Sequence, residues 1–278
     1  MHPIKGILGI TYSCSNKTIN YCDDWYTDRY SNIFANNNSI RSLYNVRYLG
    51  FNNIRTYYLD PSKDHTLFLS LCDKLNLSVE IGISNQMLDT KSKSQISTLI
   101  KTVKNYKCVK IYRVGNEYVN SIDNIIFAIE IISSMDPTKY IMHSTFYDNN
   151  FNTVKKIYQR IPNYIKQKFI IGINLRENSN IFPNLVNNFY NDYILKDAYL
   201  IVTEFGTSNN DYKFMKDGLD IHAQFLLRYP KYLGIEILSY TDESWKGNSN
   251  NNNSYGILTE DGEKKSTYQA ILDFNNLN

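Results

Sequence analysis

Val109-Lys110-Ile111-Tyr112-Arg113-Val114, followed after a polar interval by Ile122-Asp123-Asn124-Ile125-Ile126-Phe127-Ala128-Ile129-Glu130-Ile131-Ile132, sets a β-branched run beside an amphipathic stretch. The first fits a pleated strand. In the second, apolar residues return at three- and four-residue spacing, which predicts a helix over 122–135 that Asp136-Pro137 stops. The same unit recurs on both sides. Upstream, strand 7–12 leads to a helical pattern over 39–49. Strand 53–58 leads to a helix carrying Leu67, Leu71 and Leu75, with Asp60-Pro61-Ser62 as its turn and N-cap, and strand 77–83 to a helix over 94–106. Downstream, strands are predicted at 140–146, 169–175, 200–203 and 233–240, with helices at 152–161, 183–196, 211–228 and 266–274.

Eight strand–helix units in 278 residues match a parallel (β/α)8 TIM barrel, which typically runs to about 250 residues. No linker long enough to separate domains intervenes, so one catalytic domain over 1–278 is expected. The alternative, a doubly wound open sheet, usually carries a glycine-rich phosphate turn after its first strand. Here Thr11-Tyr12-Ser13-Cys14-Ser15 stands there, and no Gly-x-Gly-x-x-Gly or Walker lysine motif occurs. The Asn-rich stretch 248–253 reads as a loop after strand eight.

Composition narrows the function classes. With 42% hydrophobic and 21% charged residues the chain can bury a core, and disorder is excluded as the main state. Thirty Lys and Arg against 27 Asp and Glu give a dispersed +3, so no nucleic-acid footprint is expected. No apolar run approaches the roughly 20 residues that span a bilayer. The amino terminus shows no secretory leader, which predicts a cytoplasmic protein or a trimmed secreted or cell-wall one, and a monomer is expected. Cys14, Cys22, Cys72 and Cys108 have no C-x-x-C spacing and only four histidines could join them, so no metal site is expected; a Cys14–Cys22 bridge and free thiols both stay open. His65 reads as structural, His222 as a surface or packing residue, His143 as facing either core or cleft, and the Lys-rich segment 91–110 as a solvated helix face.

In a barrel the reacting groups lie at the carboxyl ends of the strands. Strand four ends Arg113-Val114-Gly115-Asn116-Glu117 and strand seven Val202-Thr203-Glu204-Phe205-Gly206, and these strands face each other across an eight-membered ring. Glu117 and Glu204 are therefore the candidate catalytic pair for glycoside chemistry, in which an acid protonates the leaving oxygen and a carboxylate attacks the anomeric carbon. A carboxyl separation of about 5–5.5 Å gives the retaining course. Asn116 places an amide beside the acid, where it can hold a sugar hydroxyl, and Gly115 and Gly206 leave room for a ligand near the backbone. Of the many aromatics, Tyr12, Tyr57 and Trp245 stand at strand ends, where a ring can stack on a pyranose; Trp25 in the first loop either caps the cleft or packs.

Gly115-Asn116-Glu117 and Thr203-Glu204-Phe205-Gly206 resemble the retaining glycoside hydrolases of clan A. More narrowly, the chain is similar to glycoside hydrolase family 17, the β-1,3-glucanases. The likeness extends through Ile54-Arg55-Thr56-Tyr57, Phe169-Ile170-Ile171-Gly172-Ile173-Asn174, Asp242-Glu243-Ser244-Trp245-Lys246, Tyr255-Gly256-Ile257-Leu258 and Asp261-Gly262. The segment from Ile54 to His65 also resembles the β-1,3-glucanosyltransferases of family 72. The resemblance implies Glu117 as acid/base and Glu204 as nucleophile. It further implies that Glu243 and Lys246 line the cleft near the nucleophile, that Arg55 lies below it and holds it ionised, and that Asn174 joins the substrate-binding set. Two departures are visible: Leu175-Arg176-Glu177 stands where the family usually has a Tyr-Pro pair, and Gly206-Thr207-Ser208-Asn209 replaces Gly-Trp-Pro. The expected function is a retaining β-1,3-glucan hydrolase or transglycosylase, without metal or organic cofactor, whose partner is the β-glucan itself. The alternatives are a non-catalytic β-glucan-binding barrel and a clan A enzyme for another β-linked polysaccharide.

Overall fold

The structure, a computed structural model, describes residues 4–12, 43–177, 179–243 and 254–277. Eight parallel strands pair in chain order and β8 closes on β1, as the sequence predicts. The strands are β1 (Ile7–Thr11), β2 (Asn53–Arg55), β3 (Ser78–Ile83), β4 (Val109–Asn116), β5 (Tyr140–Phe146), β6 (Phe169–Arg176), β7 (Tyr199–Gly206) and β8 (Tyr232–Ile237). Around them run α1 (Leu43–Tyr48), α2 (Thr66–Lys74), α3 (Asn85–Asp89), α4 (Lys93–Val103), α5 (Ile122–Met135), α6 (Asn152–Arg160), α7 (Asn163–Lys166), α8 (Phe182–Asn191), α9 (Tyr212–Arg228) and α10 (Ser266–Leu277). None of these is long and apolar enough to cross a membrane.

Local chemistry accounts for the element ends. Ser121 caps α5 by accepting from Asn124 N at 3.3 Å, and Asp211 caps α9 by accepting from Phe214 N at 3.0 Å. The predicted cap of α2 is displaced. Asp60 Oδ1 accepts from Ser62 N at 2.9 Å and Ser62 Oγ at 2.8 Å, closing a turn of its own, and α2 begins only at Thr66. Its buried face is Phe68, Leu69 and Cys72, while Leu67 is exposed. Strand β2 ends at Arg55, three residues short of the predicted 58, because the sheet closes over only three residue pairs there.

Strand parity divides the core into two regions. Outward residues such as Ile54, Ile81, Val114, Ile173 and Val202 pack beneath the helices. His143, on the same parity as Ile141, is buried in this layer and its Nδ1 is 2.7 Å from Val114 O, so it serves the core and not the cleft. Burial holds its pKa down at about 4. The inward residues Ile7, Ile111, Tyr140, Met142, Ile170, Ile201 and Leu233 fill the amino end of the barrel. Towards the carboxyl end the interior turns polar, with Asn53, Arg55, Glu80, Arg113, Ser144, Asn174, Thr203 and Glu236, all buried.

Candidate active site

Three strands lose regular register at their carboxyl ends: β4 between Arg113 and Asn116, β6 between Asn174 and Arg176, and β7 between Val202 and Phe205. An irregular ladder re-aims the side chains that follow it. Glu117 follows the first with φ 53° and Glu204 lies in the third with φ 50°, both in the left-handed region. For residues other than glycine that conformation costs about 1–3 kcal/mol and persists where surrounding structure enforces it. Part of the enforcement is a bond from Glu117 N to Ser144 O at 2.8 Å on β5. The two glycines serve the backbone and leave no room for ligand, which corrects the sequence reading. Gly115 has φ 69°, and a Cβ on Gly206 would stand 2.3 Å from Leu238 O.

Glu204 is completely buried. Its Oε1 accepts from Arg55 Nη2 at 2.6 Å and from the Tyr57 hydroxyl at 3.4 Å, and its Oε2 from Arg176 Nε at 2.7 Å and from Arg176 Nη2. Among the described residues that places four donor contacts on its two oxygens, and an ionised carboxylate accepts at both. Glu117 Oε1 accepts from Asn174 Nδ2 at 2.5 Å and Arg176 Nη2 at 3.3 Å, and its side chain is 16% exposed. Burial, then the charge of Glu204, pushes the Glu117 pKa up, against the opposing pull of Asn174, Arg176 and Arg55. One guanidinium nitrogen thus touches both carboxylates. The two oxygens it joins lie no farther apart than two hydrogen-bond lengths, about 6 Å.

The remaining predicted residues divide. Arg55, buried, donates to Asn116 Oδ1 at 2.8 Å as well as to Glu204 and lies 3.7 Å from Glu236. Tyr57, half-buried, stands under the guanidiniums of Arg55 and Arg113 at 5.1 and 5.5 Å. Asn174 is spent inside the protein. Its Oδ1 accepts from Thr203 Oγ1 at 2.6 Å, which turns its Nδ2 onto Glu117, so both ends of the amide are held by protein groups. Tyr12 is likewise buried against the Tyr240 ring, 5.2 Å between centroids, and presents no stacking face. Glu243 is buried beyond β8. Trp245, Lys246, Trp25 and the Cys14–Cys22 pair lie outside the described residues.

Beside the carboxylates opens a cleft of about 420 Å³ lined by Tyr57, Tyr58, Ile83, Ser84, Asn85, Gln86 and Asn116. Asn85 binds both ways to the main chain of Asn116, accepting from its N and donating to its O at 3.0 Å each, which ties this wall to the end of β4. Among the described residues no group of three or more His, Cys, Asp or Glu is disposed to hold a metal ion.

Four residues of the site escape the sequence reading: Arg176, Glu80, Arg113 and Glu236. Glu80 and Glu236 share Asn53 Nδ2, at 2.9 and 3.3 Å. Burial, then the charge and hydrogen bond of Glu80, raises the Glu236 pKa well above its ordinary value, a direction that favours the protonated carboxyl. Arg113 is lowered to about 10 by burial and by Arg55, and donates to Thr56 O. A signal for these residues exists: both faces of a parallel barrel sheet are covered, so a charge in mid-strand has no solvent face to occupy.

Among solved structures, the chain resembles a GH2 β-galacturonidase from Eisenbergiella tayi bound to galacturonate, with TM-score 0.66, 18% identity, and 85% of this chain against 46% of that one. It also resembles Bacteroides uniformis β-glucuronidase 2 covalently bound to cyclophellitol-6-carboxylate aziridine, with TM-score 0.69, 15% identity, and 97% against 35%. A β-D-glucuronidase of Dictyoglomus thermophilum gives TM-score 0.62, 15% identity, and 84% against 46%. This chain spans less than half the length of each. The likeness establishes the fold, one shared with these glycoside hydrolases; none of the three is named as a member of family 17 or 72. No family model and no curated protein matches the sequence.

Proposed function

We propose that this protein is a retaining glycosidase or transglycosylase acting on β-1,3-glucan, with Glu204 as nucleophile and Glu117 as acid/base. The observation that carries the reading is the single Arg176 nitrogen in contact with both carboxylates at the carboxyl rim of the barrel. It brings one oxygen of each to within about 6 Å of the other, short of the 6.5–9.5 Å that leaves room for a water in an inverting site, which favours double displacement. Glu204 attacks the anomeric carbon as the glycosidic C–O bond breaks, and the leaving oxygen takes the proton of Glu117. Water or a sugar hydroxyl, its proton passing to Glu117, then displaces Glu204. The elevated pKa of Glu117 suits it to begin as the acid. Hydroxyl, amide and phenol groups of Ser84, Asn85, Gln86 and Tyr57 in the adjoining cleft suit the hydroxyls of a neutral glucan, and Asn116 Nδ2, which bonds nothing among the described residues, is a further donor there.

A second reading, a β-uronide as substrate, is favoured by the one-third exposed Arg176 guanidinium at the site, and by solved relatives named as acting on uronides. Product analysis separates the two. Laminari-oligosaccharides converted to shorter chains indicate hydrolysis, and chains longer than the substrate indicate transfer. Turnover of aryl β-glucuronide or β-galacturonide alone replaces glucan with uronide. No turnover of these or of β-1,4-linked oligosaccharides removes the glycosidase reading, and retained glucan affinity in that case marks a binding barrel.

A further inference from the structure

The chain scatters its lysines along the sequence, and the barrel gathers many of them at one end. Opposite the carboxylates, where helices finish and strands begin, Lys107, Lys139, Lys168, Lys196, Lys231 and Lys5 stand within three residues of the starts of β4, β5, β6, β7, β8 and β1. These six strands are neighbours in the ring. Cations in the last helical turns, such as Lys74 and Arg228, answer the helix dipole, whereas the six lie beyond the helices. Among the described residues the lysines in ion pairs are Lys155, Lys213, Lys216 and Lys265, none of the six. Most carboxylates at this end are engaged within the fold. Asp73 accepts from Lys107 N and Cys108 N, Asp136 from the Tyr112 and Thr138 hydroxyls, and Asp192 pairs with Lys155, while Asp197 is exposed.

Apolar side chains protrude on the same face. Leu227 is 90% and Tyr193 87% exposed, and Leu277, Tyr164 and Tyr48 are each more than two-thirds exposed. They run as an arc from the connections before β6, β7 and β8 to the ends of α10 and α1. We propose that this face is a peripheral docking surface for a bilayer carrying anionic phospholipid. Two chemistries side by side select that partner. Anionic headgroups attract the lysines, and the interfacial layer beneath them takes up tyrosine rings and leucine side chains. A nucleic acid or an acidic polysaccharide would use the cations and leave Leu227 and Leu277 in water. Docking by the amino end turns the rim that carries Glu117 and Glu204 away from the lipid, so the mouth stays open to a polymer in the aqueous phase. It makes no use of the carboxylates, and so stands or falls apart from the glycosidase reading.

The test is cosedimentation with vesicles of phosphatidylcholine alone and of phosphatidylcholine with about one-quarter phosphatidylserine, at about 0.1 M salt. Binding is expected to the anionic vesicles and not to the neutral ones. The combined variant Lys5→Gln, Lys107→Gln and Lys196→Gln, all at exposed positions, should weaken it by about fivefold per lysine removed. Leu227→Ser with Tyr193→Ser leaves every charge in place and should weaken it by about tenfold. Lys91→Gln with Lys93→Gln, set roughly 15 Å away at the other end of α4, should change it by less than about twofold, being beyond the Debye length. A thermal melt checks that each variant is folded. Absence of binding to the anionic vesicles, equal binding to both kinds, or as large a loss in the Lys91 and Lys93 variant as in the triple variant overturns the docking face. Binding to heparin with none to vesicles overturns the choice of lipid, as does an unchanged affinity in the Leu227 and Tyr193 variant.

Discussion

At the amino end of the barrel, Ile111, Met142, Ile170 and Ile201 fill the interior with apolar side chains; two residues further along the same strands stand Arg113, Ser144, Gly172 and Thr203. With Arg55, Glu80 and Glu236 from the neighbouring strands, the upper layer is as buried as the lower one. Burial stabilises the apolar layer in proportion to area and without regard to direction. The polar layer gains nothing from burial itself and holds only while each charge has its partners. One end can therefore lose volume and keep function, and the other can keep its volume and lose everything.

Five measurements break or sharpen this contrast. Glu204→Gln, which changes almost no volume, is expected to lower kcat/KM by about 10⁴-fold or more while glucan affinity and folding persist; comparable activity in that variant ends its role as nucleophile. Arg55→Met strips the buried Glu204 carboxylate of the cation beneath it, and denaturant unfolding should show a loss of about 3–5 kcal/mol. Ile170→Ala at the apolar end should cost about 2–5 kcal/mol by the same measurement yet leave kcat/KM of the folded enzyme nearly unchanged, since its cavity lies beneath the charged layer. A fall in kcat/KM beyond about tenfold would show that the two layers are mechanically one.

The pH profile comes next in size. Glu117 acts as acid only while protonated and its pKa is raised, so activity should be full below that pKa and fall about tenfold per pH unit above it, with the turning point above the ordinary carboxylate range. Glu117→Gln should remove this limb. Smallest of all is Glu236→Gln. Because burial and Glu80 favour the protonated form of Glu236, an amide donor replaces a hydroxyl donor beside Glu80, and the change in unfolding free energy should stay below about 1 kcal/mol. Glu80→Gln removes a charge that faces Arg113 and should cost more.

The contrast also explains what could be read from the sequence. The barrel is legible because β-branched runs such as 109–114 and 169–175 alternate with helical periodicity, and closure in chain order follows from eight such units. Glu117 and Glu204 are legible because they end strands beside glycine, a local signal. Glu80, Arg113 and Glu236 become legible only once the closed barrel is assumed, because a lone charge between aliphatics looks the same on a solvated strand as on a sealed one. Arg176 was visible as a departure from an expected aromatic, but its action on both carboxylates depends on register shifts in β4, β6 and β7 that no local pattern encodes. Asn174 errs the other way: its position is legible, while its service to Glu117 depends on the hydroxyl of Thr203 on the next strand.

The left-handed backbone at Glu117 also bears on how such a barrel would decay. Glycine adopts that geometry freely and asparagine or aspartate with little penalty, whereas alanine and glutamine inherit the full strain. A lineage freed from selection on turnover would gain about 1 kcal/mol by drifting to glycine at this position and nothing by drifting to alanine. Glycine or asparagine at the tip of the fourth strand would then be the fossil of lost chemistry, readable from a genome before any enzyme is assayed.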